Sequence, residues 1–173
     1  MVLKYFGDNI NEKTLAINSR LPDHKGCWDV KIAPFLIKKG YNVISYWNGL
    51  LSGWNASKKL AKAYNAEYKK ASKIGFRHKK NARISTIKDY IKNGIPVLTE
   101  VDASMFYKKK FDFTHMIVVV GYDKVNFFVH DPDKDWGKTF KKISISKFRK
   151  AWEKLSPKSG RSMFVVFPKA NST

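Results

Sequence analysis

The sequence predicts an α+β fold, and three observations carry the prediction. Helical periodicity dominates the chain up to about residue 92, and β-branched and aromatic runs dominate from Pro96 onward. Helices first and antiparallel strands afterwards mark segregated layers, not a doubly wound sheet. With 173 residues, 43% of them hydrophobic and 14% aromatic, the chain can bury one substantial core but not two. The expectation is a single domain over 1–173, with an N-terminal helical layer packed on a C-terminal twisted antiparallel sheet.

Residues 1–6 read as the tail of an apolar helix, stopped by Gly7, with Met1, Val2, Leu3, Tyr5 and Phe6 apolar and no cap residue before them. A short helix follows at 11–18 and a loop at 21–26. An amphipathic helix is expected at 29–39, with Gly40 ending it and Pro34 inside its first two turns, where the missing N–H costs least. A strand at 43–47, a longer helix at 52–74 and a polar, basic connection come next. Ser85 is the expected N-cap of a helix over 85–92, and Gly94 its stop. Sheet opens at Pro96 and runs through a hairpin to residue 130, before a helix at 146–155 and a closing strand at 162–167.

The hairpin is the most informative stretch. Strands at 116–120 and 126–130 are joined by turn residues at 121–124. Antiparallel pairing then sets the start of the first strand beside the end of the second, so His115 and Asp131 reach one rim of the sheet. A carboxylate there accepts the imidazole N–H, fixes the tautomer and holds the ring as a general base. Taken singly, His115 is an ordinary strand-end histidine and Asp131 an ordinary Asp-Pro turn residue; their registration favours a site. His130 alternates to the opposite face and reads as structural. Glu100 and Asp102, two residues apart on one strand at roughly 6.6 Å, are a weaker carboxylate pair.

Composition excludes several classes. The single cysteine, Cys27, rules out an intramolecular disulfide and a multi-cysteine zinc site. The four histidines have no metal-ligand spacing, so neither metal nor cofactor is expected. No run approaches a membrane span and the first residues lack a signal-peptide pattern, which makes the cytoplasm the default location. The excess of 34 Lys and Arg over 14 Asp and Glu, a net +20, draws the protein towards polyanions without any recognised nucleic-acid motif. The same lysines also describe a solvated helix face.

The order of these features resembles the papain-like cysteine peptidases, in particular the bacteriocin-processing, double-glycine type. The matching residues are Gly94, Ile95, Pro96 and Val97 leading into a strand, then His115 followed by MIVVVGYD, then FFVHDP with Asp131. The resemblance implies a peptide or protein substrate and a papain-like fold, with His115 as acid–base residue and Asp131 as its orienter. It also implies a cysteine at the N-terminus of the first core helix, beside a Gln or Asn of the oxyanion hole. The segment VLKYFG matches the end of that helix, so the cysteine's position falls before Met1. Either the natural chain starts upstream, the expectation adopted here, or the nucleophile has been lost. Cys27, just before the 29–39 helix, is the weak alternative nucleophile. Beside the hydrolase stand two other readings: an inactive peptide-binding module of the same fold, and a basic polyanion-binding protein.

Overall fold

The computed structural model describes residues 1–19, 29–47, 58–107, 115–133, 135, 137–154 and 161–169. Among these, helices α1 (Val2–Tyr5), α2 (Glu12–Ser19) and α3 (Asp29–Lys38) lead into β1 (Tyr41–Tyr46). Helix α4 (Lys58–Ser72) and strand β2 (Arg77–Lys79) precede α5 (Ile84–Lys92), β3 (Val97–Val101) and a 3-10 turn at Ala103–Met105. The last part comprises β4 (His115–Tyr122), β5 (Asn126–His130), β6 (Lys141–Ser144), α6 (Ile145–Lys154) and β7 (Met163–Pro168). The loop expected at 21–26 and the start of the helix expected at 52–74 lie outside the described residues.

The seven strands form one sheet in the order β2-β1-β7-β3-β4-β5-β6. It is mixed, which corrects the expectation of an antiparallel sheet: β2 pairs parallel to β1, with Ile44 opposite Arg77 and Tyr46 opposite Lys79. The basic connection therefore contains an edge strand. Its side chains carry no strand preference, and its pairing comes from lying beside β1 and from the His78 Nε2 contact to the Trp47 carbonyl at 2.9 Å.

Alternation along the strands buries both faces. In β4, Ile117 and Val119 face one core and Val118 the other. Helices α5 and α6 cover the first face with Ile87, Phe148 and Trp152. The second is covered by α1, α3 and α4 through Val2, Val30, Leu36 and Tyr64. The helical layer is thus split across the sheet, another departure from the single layer expected. Each large side chain fully buried this way stabilises the fold by about 1.5–3 kcal/mol.

Local chemistry sets the element ends. Asn11 accepts the Thr14 N–H at 2.7 Å and starts α2. Helix α5 is capped differently from expectation: Arg83, not Ser85, occupies the N-cap, and the Thr86 hydroxyl reaches back to accept the Arg83 N–H at 3.1 Å. Gly40 ends the turn after α3 at φ +91°, a conformation open to glycine at little cost. Pro34 is the sixth residue of α3 and is accommodated within it.

Candidate functional site

Two adjacent strands and one turn build the site. Strand β4 opens at His115, which pairs with Val101 at the end of β3. Strand β5 ends at His130, directly opposite Val118, so Asp131 leaves the sheet beside the start of β4. His115 has the parity of the buried Ile117 and Val119, and Asp131 that of Phe127 and Val129, so both project towards the α5–α6 face. Phe127 is held there by an edge-on contact with Phe148, ring centroids 4.9 Å apart, which fixes β5 against α6.

The structure brings His115 and Asp131 together, with Nε2 2.7 Å from Oδ1. Their side chains are 13% and 2% exposed, so the pair is largely withdrawn from water. An ionised carboxylate only accepts, so Nε2 carries the shared proton, and Nδ1 is the nitrogen that can take one up when the ring is neutral.

Asp131 makes further bonds that fix its direction. Oδ1 also accepts the Asp133 N–H at 3.0 Å, and Oδ2 accepts the Tyr107 hydroxyl at 2.6 Å. Its own N–H donates to the Lys138 carbonyl at 3.1 Å, closing the loop between β5 and β6. Burial, reinforced by the bond to Asp131 and by the charges of Asp131 and Asp133, keeps the Tyr107 hydroxyl protonated well above its ordinary range. The Lys141 amine stands 3.4 Å from the centroid of the Tyr107 ring. Burial lowers the Lys141 pKa, and the Asp131 charge offsets part of that shift.

Sequence reading missed Tyr107 and Lys141. Tyr107 lies two residues past the 3-10 turn and follows no recognisable motif, while Lys141 is one of many lysines. The other candidates fall elsewhere. Cys27 and His24 lie outside the described residues. His130 shares the opposite face with Val118, its ring edge-on to Phe140 at 4.4 Å between centroids. Of the weaker carboxylate pair, Asp102 lies just past the end of β3, meets the Lys154 amine at 2.7 Å and accepts the Ser104 N–H at 2.9 Å. Among the described residues no cluster of three or more His, Cys, Asp or Glu is arranged to hold a metal ion, and no helix is long and apolar enough to cross a membrane.

Residues 1–159 match the family model described as Peptidase_C39 like family. No curated protein matches the chain.

Proposed function

The chain belongs to the Peptidase_C39 like family, and from that premise we propose that it is a cysteine-peptidase-type hydrolase in which His115 and Asp131 form the acid–base pair. The observation that carries the reading is the buried 2.7 Å bond between His115 Nε2 and Asp131 Oδ1. It suits the papain-like α+β arrangement of the family, in which a thiol is activated by an imidazole held by a third group.

In this reading His115 Nδ1 takes the proton of a cysteine thiol, and Asp131 stabilises the imidazolium that forms. The thiolate sulfur attacks the carbonyl carbon of a peptide or protein substrate and forms a C–S bond. His115 then gives its proton to the departing amine as the C–N bond breaks, leaving a thioester. Water, deprotonated by His115, attacks the thioester carbon; the C–S bond breaks and the sulfur regains its proton. Cys27 is one candidate for that thiol, and the labelling below reads which cysteine supplies it.

An electrophilic peptide probe tests this in the natural protein, translated from its whole reading frame. A cysteine labelled at least about a hundredfold faster in wild type than in His115→Ala supports the hydrolase, and mass mapping shows which cysteine it is. If no cysteine responds to His115, the hydrolase reading fails, and peptide binding without hydrolysis becomes the reading for this fold.

Charge supports a second reading. On a chain of net charge +20, a cleft of about 490 Å³ between α5 and α6 gathers Arg83, Lys88, Arg149 and Arg161. Glu153 engages one of these, at 3.1 Å from Arg161. Nonspecific binding of a phosphate polymer through this face falls linearly in log affinity with log salt, and equally for unrelated sequences. Binding absent even near about 50 mM salt removes this reading.

A further inference from the structure

We infer that Tyr107 is the positioning residue of the site, the group that aims the Asp131 carboxylate at His115. The role rests on the reading of His115 and Asp131 as an acid–base pair. A carboxylate held by one partner alone can turn about its terminal torsion, which is broad. Here both oxygens are fixed: Oδ1 by His115 and the Asp133 N–H, Oδ2 by the Tyr107 hydroxyl at 2.6 Å. The Tyr107 bond is the one that opposes rotation from the far side, and with the side chain 2% exposed, water has little access to replace it.

Tyr107 is itself held in place. Its backbone N–H donates to the Ala103 carbonyl at 3.1 Å, tying it to the 3-10 turn that Asp102 caps. The Lys141 amine lies over its ring at 3.4 Å, and Lys141 sits on β6 opposite Val129 of β5, two residues before Asp131. Strands β5 and β6 thereby register the tyrosine and the aspartate against each other. A protonated tyrosine donates without adding charge, so it orients the carboxylate and leaves its negative charge for the imidazolium.

The test reads the His115 ring directly in chain 1–173 and needs no thiol, so its outcome is separate from that of the hydrolase reading. In ring ¹⁵N–¹H spectra, wild type should show the proton on His115 Nε2, protected from exchange with water. In Tyr107→Phe, which keeps the ring under Lys141, that proton should exchange about tenfold faster or more, and the tautomer should become mixed. Conversion of Lys141 to Gln, which removes the cation over the ring but leaves the hydroxyl in place, should speed that exchange less than Tyr107→Phe does. An unchanged His115 signal in a folded Tyr107→Phe protein overturns the role. A measurement on wild type covers a variant that does not fold: with tyrosine ring labelling, the Tyr107 hydroxyl proton should exchange slowly with water, and exchange as fast as free tyrosine overturns the inference.

Discussion

A Cβ built on Gly137 would stand 2.8 Å from the Asp131 carbonyl oxygen and would meet the backbone of Asp133 still more closely. Both neighbours are backbone, so neither can swing aside. The loop that carries Asp131 closes on itself through the Asp131 N–H to Lys138, and only a residue without a side chain lets it close so tightly.

Gly137→Ala should therefore destabilise the protein by about 1–3 kcal/mol. At roughly 2–4 °C for each kcal/mol in a chain of this size, the drop is visible in a thermal melt. The His115 ring signal should move as well, because the loop cannot shift without Asp131. An unchanged melt and an unchanged His115 signal would show that the loop has slack.

Asp102 caps the 3-10 turn that leads to Tyr107. Burial raises its pKa, but the Lys154 amine and the Ser104 hydroxyl and N–H outweigh that and leave it below the ordinary carboxylate value of 3.8. A folded pKa below the unfolded one gives stability that is present above about pH 4 and lost as the pH falls further. Asp102→Ala should cost about 1 kcal/mol at neutral pH, mainly through the lost turn cap. Denaturant melts at neutral pH and below pH 4 check both parts: the variant should differ from wild type at the first and converge with it at the second.

His78 gives the opposite charge type and a higher window. Burial lowers its pKa below 6.5, against the raising effects of the Trp47 carbonyl and Asp29, while Lys80 lowers it further. Its Nδ1 is buried with no hydrogen-bond partner among the described residues, which suits the neutral ring. The folded state therefore prefers neutral His78, and the stability it lends is present above 6.5 and lost as the pH falls through the folded pKa. Melting midpoints at pH 7.5 and pH 5.5 should fall further in wild type than in His78→Gln; equal falls contradict the assignment.

How much of this was legible in the sequence depended on the range of the interaction. The hairpin was readable because alternation over 116–119 and 126–130 fixes which residues share a face, and the Val118–His130 register then carries His115 to Asp131 despite the shift between Val119 and Gly121. Strand β2 was not, since Arg77, His78 and Lys79 gain their place from β1, 30 or so residues earlier. Tyr107 was invisible for a related reason. Its role arises where a capped turn after β3, the end of β5 and a lysine of β6 converge, and no local pattern encodes that meeting. The split of the helices between two faces likewise depends on where the chain crosses the sheet, which propensity does not record.

Steady-state hydrolysis of a peptide amide by the natural protein reads directly whether Asp131 holds His115 as an acid–base group. Asp131→Asn keeps the shape but offers an amide that can present the wrong group to Nε2 and carries no charge for the imidazolium. Loss of that hold should lower kcat about 10²–10⁴-fold while KM changes little. A kcat equal to that of wild type in a folded Asp131→Asn protein would contradict it.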